Sequence, residues 1–494
     1  MSLASAAAPL PADAGIVIVG GGFAGIGMAM RLRAAGQHDF LLLEQGDRPG
    51  GTWRDNRYPG AACDVESHLY SFSFQPKPDW SRDYGSQAEI LAYLDQCISA
   101  ADLQPQLHCG CAVAEAHHDA VRARWRLRLA DGRQLSCETL IIATGALSRP
   151  ALPDIPGRQT FAGESFHTAR WTTERDLRGR RLAVIGTGAS AIQLVPRVAR
   201  QAAQLTVFQR TPPWILPKRD RPIPAWRQAA FRRLPWLQRL QREAIYWRLE
   251  SHALPMVRLP GLMALARRAA LRQLHSQVAD PQLRARLEPS YTMGCKRILL
   301  SDDYLPALTR PQVRLVTDPI ATIEADGVRT RDGVLHRCDT LVYATGFATA
   351  NRAPPLAAIG RDGVSLVDRW AQRPQAYLGT AMRDFPNLFL LLGPNTGLGH
   401  SSMITMIEAQ IGLVLRCLAE RRARGARTIE VHADAERDFN RELEQRLRHT
   451  VWATGCHSWY LNDDGSNSVL WPDFTFRFRA RTRDFRSGDW QFVA

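Results

Sequence analysis

Two glycine clusters carry the first chemical message. In "GIVIVGGGFAGIGMAMRLRAAG", Gly20, Gly22 and Gly25 stand at G-x-G-x-x-G spacing. In "RRLAVIGTGASAIQLVPRVA", Gly186 and Gly188 repeat the first two positions and Ala191 takes the third. That spacing lets a chain turn tightly out of a strand, brings backbone close to a pyrophosphate and lets the next helix pack closely. The helix N-terminus then offers free N–H groups and the positive end of its dipole to the phosphates. A second strand follows each cluster. The first, "DFLLLEQ", ends at Glu44, 24 residues beyond Gly20; the second, "AQLTVFQRT", ends at Arg210, 24 residues beyond Gly186. A carboxylate accepts hydrogen bonds from ribose hydroxyls and repels a 2′-phosphate, whereas an arginine binds one with two N–H groups. The expectation is FAD at the first site and NADPH at the second. A surface acid at Glu44 and a solvated strand-end charge at Arg210 are the plain alternatives.

These residues need strands and helices to hold them. Two further segments echo one another, "TLIIATGALSRP" at 139–150 and "TLVYATGFATA" at 340–350. Each is an apolar strand closed by Ala-Thr-Gly, where small residues let the chain leave a sheet beside a cofactor or cross between domains. The expected fold is α/β: two Rossmann-type dinucleotide-binding domains, the NADP domain nested in the FAD domain, with a helical insertion. The boundaries expected are 1–149 and 380–494 for the FAD domain, 150–215 and 310–379 for the NADP domain, and 216–309 for the insertion, which is rich in Leu, Arg, Trp and Ala.

The 494 residues suffice for two to four domains, and 45% hydrophobic with 22% charged residues is an ordinary globular balance. The net charge of +15 is mostly dispersed arginine. No Lys/Arg block with interleaved aromatics suggests nucleic acid. Nine cysteines without a CxxC argue against a metal site and a disulfide scaffold and fit reduced thiols in a cytoplasm. The first fourteen residues lack the basic start of a signal peptide, and no apolar run is long enough to span a bilayer.

"FAGESFHTARW", Phe161 to Trp171, fits neither a helix nor a strand. It has no 3.6-residue apolar stripe and no alternation. What it offers is spaced anchors: Phe161, Gly163, His167 and Trp171.

Assembled, these motifs resemble the class B flavin monooxygenases, and among them the type I Baeyer–Villiger monooxygenases, over nearly the whole chain. "FAGESFHTARW" is similar to the family's F-x-G-x-x-x-H-x-x-x-W fingerprint. "GGTWRDNRYPGAACDVES" (50–67) looks like its flavin-covering segment, and "GCKR" (294–297) like its catalytic Lys-Arg pair. "GPNTGLGH" (393–400) and "GCHSWYLNDDG" (455–465) resemble its C-terminal FAD-domain segments. Thr172, where relatives carry Pro or Asp, and Ala62, where many carry Arg, depart from the pattern.

The resemblance implies a reaction: NADPH reduces FAD, O2 adds as a C4a-peroxide, and Arg297 stabilises that anion while it attacks a ketone. Asp64 would pair with Arg297 and orient the nicotinamide. Lys296 and Arg210 would share the 2′-phosphate, with Thr187 and Thr211 beside them. Thr52, Trp53, Tyr58, Asp64 and Tyr70 would contact the cofactors, and Trp459 would close over NADP. Gly163 would permit a tight bend in the linker, and His167 and Trp171 would hold it in register. An N-cap for "DVESHLYSF" is the competing role for Asp64. Loops at 350–357 and 396–405 would line the substrate pocket.

The rival reading is a flavin monooxygenase that oxidises N or S heteroatoms. A dithiol reductase would need a flavin-adjacent cysteine pair, commonly CxxC or CxxxxC, which is missing. In the insertion, residues 231–275 hold nine arginines among Trp236, Leu237, Leu240, Tyr246 and Trp247. A helical cap over the substrate channel is expected there, and contact with an anionic membrane is the alternative.

Overall fold

The computed structural model describes residues 10–172, 175–348, 354, 356–456 and 458–494. Its two large sheets correspond to the two glycine clusters. The parallel centre of the first, eight-stranded sheet comprises Leu388–Leu390, Gln134–Ile142, Asp13–Val19, Phe40–Leu43 and Leu107–His108. Arg124–Leu129 and Val113–Asp119 extend it in antiparallel fashion. Ile16 to Val19 are almost wholly buried, as a strand covered on both faces requires. Helix Phe23–Ala34 starts directly after Gly22 and is buried along most of its length, partly against helix Met403–Ala423.

The second sheet has five parallel strands in the order Val313–Val316, Gln204–Phe208, Arg181–Ile185, Thr340–Tyr343, Glu164–His167. Helix Ala189–Val198 follows Gly188. The last strand corrects the expectation that "FAGESFHTARW" is irregular. Glu164 to His167 pair in register with Thr340 to Tyr343. An edge strand needs a partner on one side only, and this ladder, formed across 176 residues of sequence, overrides the lack of local alternation.

Helices fill the insertion as expected: Ala225–Arg233, Pro235–Ser251, Ala253–Val257, Met263–Gln277 and Pro281–Leu287. They straddle the molecule. Ile245 and Tyr246 join the core under the first sheet, while Leu274 and Leu287 join the core of the second. Met256 and Met263 pack with Trp452 and Tyr460 of the C-terminal segment.

The cysteines require a second correction. Cys295 and Cys456 form a disulfide across 161 residues, while Cys63, Cys97, Cys109, Cys111, Cys137, Cys338 and Cys417 are free thiols. Spacing rules detect only pairs that are close in sequence, and folding unites this one. Among the described residues, no helix is long and apolar enough to cross a membrane.

Candidate active site

The first cradle is built from backbone. Gly20 has φ +115°, and a Cβ there would lie 2.6 Å from the Ala143 carbonyl oxygen. A Cβ on Gly25 would collide with the Gly20 carbonyl. By contrast, a Cβ on Gly22 would meet only the Gly51 Cα, at 3.8 Å, so the space before the helix N-terminus is open. That arrangement suits a pyrophosphate. Glu44 is buried: its Oε2 accepts from Gly21 N–H at 2.8 Å and its Oε1 from Gly46 N–H at 2.7 Å. It is therefore no surface acid. Its Oε1 also accepts from the buried Arg54 at 2.5 Å, a partner the sequence reading did not identify. Thr52 and Trp53 open the short helix Thr52–Asp55, and Trp53 Nε1 donates to the Tyr70 hydroxyl at 3.2 Å.

The second cradle repeats the scheme. Gly186 has φ +110°, and a Cβ there would stand 2.5 Å from the Ala344 carbonyl oxygen. A Cβ on Gly188 would meet nothing within 4 Å. The Thr187 hydroxyl donates to the Thr211 carbonyl at 3.1 Å. Ala143 and Ala344 head the two Ala-Thr-Gly echoes, so each echo is the wall against which the first glycine of its cradle turns.

Charge separates the two. Arg210 is exposed, and the Lys296 ammonium is held below its ordinary range by burial and by the Arg210 charge. Two cations brought together this way fit a doubly charged phosphate between them.

Tyr58 bonds across to the helix of the second cradle. Its hydroxyl bonds to Gln193 Oε1 at 3.0 Å, and Gln193 Nε2 donates to the Ala62 carbonyl at 2.9 Å. Tyr58 belongs to the core of the second sheet. It fastens segment 50–67 to helix Ala189–Val198, and burial pushes its hydroxyl up to about 12.

Asp64 and Arg297 meet between the cradles. Arg297 donates from Nε at 2.9 Å and from Nη2 at 2.5 Å to Asp64 Oδ2, and from Nη1 to the Leu398 carbonyl at 3.4 Å. About a third of each side chain, 31%, remains exposed, so the pair faces an opening. Burial pushes the Asp64 carboxyl up, but the Arg297 charge and its hydrogen bonds prevail and hold it below the carboxylate range. The Asp64 charge raises Arg297 further above its already high value. This arginine stays a cation at any working pH. Residues 65–74 form turns and no regular helix, which removes the N-cap role for Asp64.

Lys296 and Arg297 follow Cys295 directly. Strand Leu299–Leu300 then pairs with Ile215–Leu216, close after Arg210 and Thr211. The disulfide ties the same segment to the chain before Trp459. Trp459 is 44% exposed, with its ring 4.5 Å from that of Tyr460. Buried Tyr460 lies beside Arg297; burial raises its hydroxyl to about 12 although the arginine charge opposes this.

In the linker, Gly163 does not have the left-handed φ of a tight bend. Its role is clearance, because a Cβ there would strike the Asp339 carbonyl. Buried His167 accepts from Ala169 N–H at Nδ1, 3.1 Å, and its ring meets Phe347 edge-on. Burial depresses its proton affinity, so it is neutral and positional. Trp171 packs edge-on against Phe166 at 5.2 Å, and Phe161 packs beside the core of the second sheet. Of the expected pocket loops, 350–353 and 355 lie outside the described residues.

The reading from sequence missed Arg54, Gln193, Tyr460 and Lys218, whose charge helps to hold Asp64 ionised. Each reaches the site through a contact that no local motif encodes.

Comparison with known proteins converges on one kind of enzyme. The family model described as pyridine nucleotide-disulphide oxidoreductase matches residues 17–232. A protein of Pseudomonas aeruginosa named Baeyer-Villiger monooxygenase is 44% identical over 98% of this chain and 93% of its own. The closed crystal structure of cyclohexanone monooxygenase superposes with a TM-score of 0.89 at 28% identity, covering 98% of this chain and all of that one (100%). A structure of OTEMO in complex with FAD and NADP gives 0.88 at 27% identity over 97% and 99% of the two chains.

Proposed function

The chain belongs to the Baeyer–Villiger monooxygenase family, and we propose that it converts a ketone to an ester or lactone with NADPH and O2. It is an FAD-dependent monooxygenase. When bound, FAD supplies oxygen activation and NADPH supplies the hydride. The proposed division gives FAD to 1–149 and 380–494 and NADP to 150–215 and 310–379, except that Ala357–Ile359 pairs with Val113–Asp119 of the first sheet and so goes with the FAD part.

The observation that carries this reading is the Asp64–Arg297 pair between two backbone cradles. Gly20, Gly22, Gly25 and Glu44 hold FAD, with Thr52, Trp53 and Tyr70 over it. Gly186, Thr187, Gly188, Arg210, Thr211 and Lys296 hold NADPH, and Trp459 closes over it. Arg297 keeps a permanent positive charge against the negative charge of oxygen transfer, where a preorganised cation in a dry site acts most strongly. Asp64 fixes the plane of that guanidinium and orients the nicotinamide amide. Tyr58 holds the covering segment to the NADP side, and Phe161, Gly163, His167 and Trp171 hold the linker. The need for NADPH supports a cytoplasmic setting.

Replacing Arg297 by Ala tests the assignment. The variant is expected to accept hydride from NADPH at the wild-type rate while ester formation falls roughly 100-fold or more. Normal ester yield would remove Arg297 from the mechanism. Offering a ketone and a sulfide to one preparation separates carbon from heteroatom oxidation; product from the sulfide alone would favour the rival class.

A further inference from the structure

The solvent side of the insertion does not have the composition of a solvent side. Helix Pro235–Ser251 buries Gln238, Ile245, Tyr246 and Glu250. On its other face Trp236, Leu240 and Trp247 stand at i, i+4 and i+11, which at 100° per residue places all three within about 40° of one another. They are 54%, 58% and 56% exposed. Trp226 on the preceding helix is 72% exposed, and the exposed Phe476 lies with its ring 6.1 Å from that of Trp247. Single exposed leucines are ordinary, but an aligned Trp-Leu-Trp stripe is not.

Basic residues flank the stripe. Arg232, Arg233, Arg239 and Arg248 are exposed, and Glu243, the single exposed acid on the helix, stands at i+7 from Trp236 at the margin of the stripe itself. Arg232 pairs with Asp79 and Arg248 with Glu66. Arg233 and Arg239 form no salt bridge among the described residues.

We propose that this face docks on an anionic lipid surface. Tryptophan rings suit the level of the headgroups, with the apolar part directed to the acyl chains and the indole N–H to water. The flanking guanidiniums suit lipid phosphates. A second copy of the chain fits worse, because a two-fold contact through this face would bring like arginine clusters together. The proposal rests on this surface and not on the reaction, so it stands or falls apart from the ketone assignment.

Co-sedimentation of the full FAD-loaded chain tests it, with phosphatidylcholine vesicles compared with vesicles that also contain phosphatidylglycerol. Binding is expected only to the anionic vesicles at about 0.1 M salt and should weaken as salt rises. The triple change Trp236→Ser, Leu240→Ser, Trp247→Ser should lower partitioning at least ~10-fold. The pair Arg233→Gln, Arg239→Gln should lower it roughly tenfold. Flavin content and NADPH oxidation without vesicles should match wild type in both, which shows that they fold. Equal binding to both vesicle types, no binding at all, or undiminished binding of the triple variant would overturn the proposal. So would a wild-type dimer that the triple change converts to a monomer, because the face would then serve self-association.

Discussion

The two dinucleotide cradles share a backbone and differ in charge. In both, the first glycine turns with positive φ against the carbonyl of an Ala-Thr-Gly alanine, at 2.6 Å for Gly20 and 2.5 Å for Gly186, measured to the Cβ each lacks. The middle glycine of each leaves open space in front of a helix N-terminus. The strand-end residue then diverges. Glu44 is buried and compensated by Arg54, whereas Arg210 is exposed and repels Lys296. On the proposed reading one scaffold binds two nucleotides, with the strand-end charge selecting between a bare ribose and a 2′-phosphate. The second cradle also has something that the first lacks: the disulfide beside Lys296.

Replacing the first glycine of each cradle in turn separates the two most sharply. Gly20→Val should yield protein without flavin, because the new side chain combines a disfavoured φ with a collision against Ala143. Gly186→Val should keep its flavin and lose NADPH binding. Flavin absorbance of the purified variants and NADPH titration distinguish them; loss of flavin in both would mean that the cradles are not separate. Next in size, Cys456→Ser should lower unfolding free energy by about 2–4 kcal/mol, because a cross-link over a long loop constrains the unfolded chain. Its flavin content should not change, and denaturant unfolding of wild type and variant measures the difference. Smaller again, Arg210→Ala should raise the KM for NADPH roughly 10- to 100-fold, the worth of hydrogen bonds to a charged group, and leave that for NADH almost unchanged. Equal weakening for both nucleotides would take Arg210 off the 2′-phosphate.

What could be read from sequence was local backbone chemistry. Gly20, Gly186 and their neighbours declare themselves because φ and close approach exclude side chains, and Glu44 and Arg210 follow by counting along one strand. What could not be read depends on distant partners. Glu164 to His167 become a strand only because Thr340 to Tyr343 lie alongside. The Cys295–Cys456 bond and the Tyr58–Gln193 contact span 161 and 135 residues. Gly163, expected to permit a bend, instead gives clearance from the Asp339 carbonyl. The outward Trp236-Leu240-Trp247 stripe lay within a segment recognised as helical, but which face met solvent depended on how the insertion packs.

Arg297, held by Asp64, is proposed to serve oxygen transfer and not flavin reduction. Stopped-flow mixing of anaerobic Arg297→Ala with NADPH, followed by oxygenated buffer and a ketone, tests it directly. The expected result is flavin reduction at the wild-type rate, then reoxidation with the electrons recovered as hydrogen peroxide and almost no ester. Ester formed at wild-type yield, or reduction slowed as much as product formation, would take Arg297 out of the oxygen-transfer step.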